Sequence, residues 1–150
     1  MDVDGVLTDG GLYYGDRGEV LKRFDVRDGQ GLVLLREAGL LVAIVTRKQS
    51  AMVSRRAQDL GIAEVHQDVV DKAAAVKDLL ARHRLTPDQA CYVGDDVGDL
   101  PALAAVGLPV AVADAVAEVR RAATYVTRAK PGHGAVREVC NLILAAHRPR

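Results

Sequence analysis

Met1-Asp2-Val3-Asp4-Gly5-Val6-Leu7-Thr8 opens the chain with two carboxylates two positions apart, directly ahead of a glycine. Side chains alternate between faces along an extended backbone. Both acids converge on one small site where such a strand ends and the chain bends, and Gly5 permits the bend. Further on, Gly94-Asp95-Asp96-Val97-Gly98-Asp99 supplies more hard oxygen ligands. Together the two clusters read as a magnesium site for phosphoryl transfer through an aspartate nucleophile. Either cluster alone also fits an Asp-Gly turn with solvated acids. A threonine and a lysine placed between the two favour the chemical reading.

Outward from that opening, the chain reads as elements in alternation. Leu12 to Tyr14 and Val20 to Phe24 are two strands joined by Gly15-Asp16-Arg17-Gly18, a hairpin signal. A helix follows Arg27-Asp28-Gly29-Gln30-Gly31 through Glu37, ended by Gly39. The continuous apolar run Leu40 to Val45 marks a buried parallel strand. Then come a helix over 51–60, a strand near Val65, a helix over 71–83 and a strand over 91–93. Beyond these the pattern predicts a helix over 99–106, a strand over 108–112, a helix over 115–123, a strand at 125–126 and a helix over 135–146. This alternation predicts an α/β fold: a three-layer, Rossmann-like parallel sheet in one domain spanning residues 1–150, with a β-hairpin insertion after the first strand. The start is anomalous. About five apolar residues should precede Asp2 on its strand, and only Met1 does. The expectation is that the first strand is truncated before Met1, leaving unpaired ladders and a slot in the core.

Bulk properties exclude several functions. Lys plus Arg equals Asp plus Glu, 20 each, which favours neither a nucleic-acid nor a membrane partner. No apolar run approaches the ~20 residues of a membrane span. With four Tyr, one Phe and no Trp, aliphatic residues must fill the core. Cys91 and Cys140 are far apart and read as buried free thiols, consistent with a cytoplasmic setting.

In open α/β sheets the ligand sits beyond the carboxyl ends of the strands. Asp2, Asp4, Thr46, Asp95 and the loop after Val112 all fall at such ends, and Lys72 at a helix start can reach over the same edge. Thr46 can donate its hydroxyl to a phosphoryl oxygen, and Lys72 can bring positive charge to the crowded acids. Taken singly, Thr46 also fits a strand-end or cap residue and Lys72 a solvated helix lysine. Asp99 and Asp114 also fit helix caps. The four histidines show no metal-ligand spacing.

The order Asp-x-Asp-Gly-x-x-Thr, strand-end Thr, Lys, then Gly-Asp-Asp-x-x-Asp resembles the haloacid dehalogenase superfamily of phosphatases over essentially the whole chain. Thr8-Asp9-Gly10, Val26-Arg27-Asp28-Gly29, Ala111 to Ala115, Tyr125 to Arg128 and Gly134 to Cys140 resemble its capless branch, the 3-deoxy-D-manno-octulosonate 8-phosphate phosphatases. The resemblance implies a Mg²⁺-dependent phosphomonoesterase of lipopolysaccharide biosynthesis with no large cap domain. It also implies a homotetramer in which the hairpins assemble around the symmetry axis. Asp2 would be the nucleophile, and Asp4 the acid and base, its backbone carbonyl on the metal. Asp95 would be the third metal ligand, Thr46 and Lys72 would hold the phosphoryl group, and Asp96 and Asp99 would act behind them. Gly5, Arg27, Lys48 and Arg128 would bind substrate.

One segment departs from the branch. Where Thr-Gly-Arg-x-Ser is usual, this chain has Thr46-Arg47-Lys48-Gln49-Ser50. Lys48 keeps the charge for a sugar-acid carboxylate but lacks the bidentate fork of arginine. A related branch acting on nine-carbon sialic-type sugar phosphates tends to carry an acidic residue at this place, which argues against that substrate. Two other readings compete: a phospho-receiver domain, disfavoured by the order of the clusters, and a non-catalytic tetramerisation domain related to acylneuraminate cytidylyltransferases.

Overall fold

A computed structural model describes residues 1–147. The hairpin comprises β1 (Tyr13–Gly15) and β2 (Gly18–Leu21), antiparallel, with a register shift between Tyr13 and Tyr14. Next along the chain are α1 (Val26–Glu37), β3 (Ala43–Val45), α2 (Ala51–Asp59), β4 (Glu64–His66) and α3 (Lys72–Arg82). They are followed by β5 (Cys91–Gly94), α4 (Leu100–Leu103), β6 (Leu108–Ala111), α5 (Ala117–Ala122), β7 (Tyr125–Val126) and α6 (Ala135–Ala146). The parallel pairs are β3 with β4, β5 with β6, and β6 with β7.

Met1 and Asp2 join these two half-sheets. The Met1 amine donates to Ala43 O at 3.1 Å, and Val45 N donates to Met1 O at 2.9 Å. On the other side Asp2 N donates to Val93 O at 3.1 Å. That is the bonding of a parallel strand, so the lateral order is β4, β3, the Met1–Asp2 stub, β5, β6, β7. Beside Met1, Ala43 and Cys91 border an apolar space. An apolar cavity of about 440 Å³ lies there, lined by residues including Leu32, Val42, Ala43, Cys91 and Val139. The Met1 amine is buried, which lowers its pKa. Leu40 to Val42, read from sequence as strand, adopt no regular structure here. β3 is ordered where it has neighbours on both sides.

Helices cover both faces. α1 packs on α6, and α2 joins them through Arg36 Nη1, which donates to Leu60 O at 2.7 Å. On the opposite face α3 packs on α4 and β3, and α4 on α5. Val3, Val6, Leu32, Ile44, Val45, Leu103, Val110, Val112, Val119 and Val136 are essentially inaccessible and form the centre of the core. α4 is shorter than the sequence pattern suggests. Val97–Asp99 fold as a 3₁₀ turn capped by Asp96, and the chain turns back at Gly107, whose N–H donates to Pro87 O.

Candidate active site

The acidic pair sits where the central stub ends. The amides of Val6, Leu7 and Thr8 all converge on Val3 O at 2.9–3.1 Å, which curls the chain into a turn. Thr8 Oγ1 accepts from Gly5 N and Gly10 N at 3.3 Å, closing it. Gly5 has φ +81°, and a Cβ there would lie 2.1 Å from Asp95 Oδ2. The two acidic clusters therefore touch across a position that only glycine fits.

Asp2 is buried at the bottom. Its Oδ1 accepts from Val3 N at 2.7 Å, and its Oδ2 lies 2.9 Å from Lys72 Nζ. Lys72 is the first residue of α3, positioned by Asp71, whose side chain caps the helix at Ala74 N. Its ammonium also meets Asp99 Oδ1 at 2.7 Å. Asp99 does not cap α4. Its Oδ2 accepts from Asp95 N at 3.0 Å and Asp96 N at 3.4 Å, and Tyr92 OH donates to its Oδ1 at 3.0 Å. Gly94 makes room, since a Cβ there would lie 2.6 Å from Asp99 Cβ. Asp99 is thus fully engaged in shaping the Asp95 turn and fixing Lys72.

Asp2, Asp95 and Asp99 each offer a carboxylate oxygen within 4.8 Å of the others. One lysine cannot neutralise three acids. Burial, followed by repulsion from Asp2 and Asp99, pushes Asp95 up to about 8. Burial and Asp99 also raise Asp2, despite Lys72. Burial alone would raise Asp99, but the Lys72 ammonium and the bonds it accepts hold it below its ordinary value. Lys72, although buried, is kept charged above the usual lysine range by the same two acids. Crowded, under-neutralised oxygen ligands without histidine or cysteine suit a hard divalent cation such as Mg²⁺. Asp2 and Asp95 fit as its carboxylate ligands.

Asp4 turns away from this cluster. Its Oδ1 lies 2.6 Å from Lys22 Nζ, which also meets Glu19 Oε1 at 2.8 Å. Thr46 is buried at the end of β3 and held through its backbone, with its N–H donating to His66 O and its C=O accepting from Val69 N. Arg47 and Lys48 follow it and are exposed. Arg27 pairs with Asp25, the cap of α1, and donates to His133 O at 3.4 Å. Arg128 is exposed, its backbone N–H held by Glu138. Arg23 Nη1 ties the hairpin's end to Gly132 O at 2.6 Å, so the 130–134 loop flanks the Thr8–Asp9 turn.

Sequence reasoning overlooked Lys22, Glu19 and Tyr92. The available signal for Lys22 was topological: a hairpin that leaves the Asp4 turn must bring its end back beside it. His66 and His83 bond Glu64 together with Arg82, an ion-pair cluster on the outer edge of β4 that holds Glu64 at about 2.

The sequence profile of the haloacid dehalogenase-like hydrolases matches residues 35–139. Over 145 residues the chain is 50% identical to the 3-deoxy-D-manno-octulosonate 8-phosphate phosphatase KdsC of Yersinia pestis, covering 97% of this chain and 78% of that protein. The same phosphatase from Moraxella catarrhalis, solved with a magnesium ion, a phosphate ion and a KDO molecule, superposes with a TM-score of 0.95. It is 41% identical, with 98% of this chain and 84% of that one covered. The cobalt-bound phosphatase from Haemophilus influenzae gives a TM-score of 0.94 at 44% identity, covering 97% of this chain and 85% of the other.

Proposed function

The chain belongs to the haloacid dehalogenase-like hydrolases, alongside the 3-deoxy-D-manno-octulosonate 8-phosphate phosphatases, and on that premise we propose that it hydrolyses this sugar phosphate with Mg²⁺ as cofactor. The observation that carries the reading is the buried Asp2, bonded to Lys72 and crowded against Asp95 at the strand ends. Bound Mg²⁺ supplies the charge that lets a carboxylate approach a phosphate dianion.

The roles of the residues follow from chemistry. Asp2 attacks phosphorus in line, forming an aspartyl-phosphate as the sugar oxygen leaves. Asp4 gives that oxygen a proton, then takes one from the water that attacks the aspartyl-phosphate, and phosphate departs. Its backbone carbonyl joins Asp2 and Asp95 as metal ligands. Thr46 donates its hydroxyl to a phosphoryl oxygen, and Lys72 offsets the negative charge on Asp2 and the transferring group. Asp99 acts behind them by fixing Lys72. The Gly5 turn lets the phosphoryl group come close to the backbone. Lys48, Arg27 and Arg128 carry positive charge suited to the acidic sugar.

We read residues 1–150 as one functional unit. The homotetramer is supported by the hairpin, which exposes Leu12, Tyr13, Tyr14, Val20 and Leu21 to solvent. Large apolar side chains exposed together on one hairpin are a common mark of an interface. No helix among the described residues is long and apolar enough to cross a membrane; we place the enzyme in the cytoplasm.

The test is release of inorganic phosphate from 3-deoxy-D-manno-octulosonate 8-phosphate with Mg²⁺, set against nine-carbon sialic-type and hexose phosphates. The eight-carbon acid should be strongly preferred. Asp2→Asn should abolish turnover, because an amide is a poor nucleophile and a weak ligand. Turnover by that variant at the parental rate would refute the assignment.

A further inference from the structure

We infer that Lys22, braced by Glu19, is the positioning residue for the Asp4 carboxyl, an inference that rests on the acid–base role proposed for Asp4. Lys22 lies one residue beyond β2, and its side chain is 1% exposed. Among the described residues its ammonium meets only Asp4 Oδ1, at 2.6 Å, and Glu19 Oε1, at 2.8 Å. Asp4 has no other side-chain partner there, so the direction of its carboxyl is set by Lys22 alone. The site thus holds two buried lysines with separate tasks: Lys72 serves the Asp2–Asp99 pair, and Lys22 serves Asp4.

Glu19 gives this arrangement its use. Asp4 must carry a proton in one half-reaction and none in the next. An isolated Lys22–Asp4 pair would lose its geometry each time the carboxyl became neutral. Glu19 keeps the ammonium paired and in place in both states, so the carboxyl returns to the same anchor. A lysine buried this deeply is retained only with such partners. The hairpin therefore delivers a catalytic support as well as an exposed apolar face.

A leaving-group comparison tests this. kcat/KM covers only the steps up to departure of the alcohol, where an alkoxide leaving group needs a proton and p-nitrophenolate does not. With Mg²⁺ present, Lys22→Met should lower kcat/KM for 3-deoxy-D-manno-octulosonate 8-phosphate by about 100-fold, the low end for lost general acid catalysis. The value for p-nitrophenyl phosphate should stay within about threefold, and Lys22→Arg should recover most of the loss. Glu19→Gln, which leaves Lys22 on Asp4, should split the two substrates in the same sense but less. It carries the test if Lys22→Met fails to fold. A crystal structure of Lys22→Met should show the Asp4 carboxyl in a new rotamer. Equal losses on both substrates, or an Asp4 unmoved in Lys22→Met, would overturn the inference. Asp4→Asn run alongside separates the two levels. If it does not split the substrates, the acid role of Asp4 fails; if it does and the Lys22 and Glu19 variants do not, only the positioning role fails.

Discussion

Extending the chain at Met1 by five Val, Ile or Leu residues should stabilise it by about 2–3 kcal/mol. Ala43 and Val45 turn their polar groups towards Met1, and Val93 turns its carbonyl to Asp2. In a parallel ladder the residues next in register are Leu41 and Cys91, and an added strand would lie between them over the 440 Å³ cavity. At about 24 cal/mol per Å³, filling that volume is worth roughly 10 kcal/mol. Ordering five residues costs about 1.5 kcal/mol each, leaving about 2–3 kcal/mol. Replacing the buried Met1 ammonium with an amide, which needs no charge solvated, acts in the same direction. For a chain of this length each kcal/mol moves Tm by about 2–4 °C, so calorimetry should find a rise of about 5–10 °C. A Gly/Ser extension of equal length is the control and should leave Tm nearly unchanged. An apolar extension that performs no better than the Gly/Ser one would refute the reasoning.

Two further outcomes concern the acids. Gly5→Ala places a Cβ 2.1 Å from Asp95 Oδ2 at a residue with φ +81°, so Asp95 must move. Mg²⁺-dependent turnover should fall by about 100-fold, and a phosphate-release assay would detect it; parental activity would mean that Asp95 is not needed where it stands. Asp95, held near 8 without metal, sits above an unfolded aspartate near ~3.9, so between these values the native state holds the extra proton. Its contribution to stability is therefore full below about pH 4 and lost as pH rises towards 8. Mg²⁺ displaces that proton, so the gain in Tm from adding Mg²⁺ over EDTA should be larger at pH 8 than at pH 5. A gain independent of pH would place the ion elsewhere.

The layered α/β arrangement was legible because alternation and strand-end chemistry are local properties. Asp2, Thr46 and Asp95 lie at the carboxyl ends of neighbouring sheet members, and Lys72 reaches Asp2 from the start of α3, all positions that periodicity marks out. Boundaries were less legible where a neighbour decides them. Leu40 to Val42 have strand composition, yet order there needs a flanking ladder. Lys22 was illegible for a different reason. Its pairing with Asp4 depends on how a hairpin folds back, which no spacing between residues 4 and 22 encodes. Tyr92 resembled any apolar strand residue until its hydroxyl was placed between Val45 O, at 3.4 Å, and Asp99, at 3.0 Å.

Three backbone bonds at Met1 and Asp2 hold the two half-sheets side by side, and the carboxylate proposed as the nucleophile hangs from that same short join. Asp2 stands on the join and Asp95 on the half beyond it, so the gap between them depends on how the two halves tilt. The reaction centre doubles as the molecule's strain gauge: a substitution deep in either half that shifts its tilt would register as lost catalysis before it registered as lost structure.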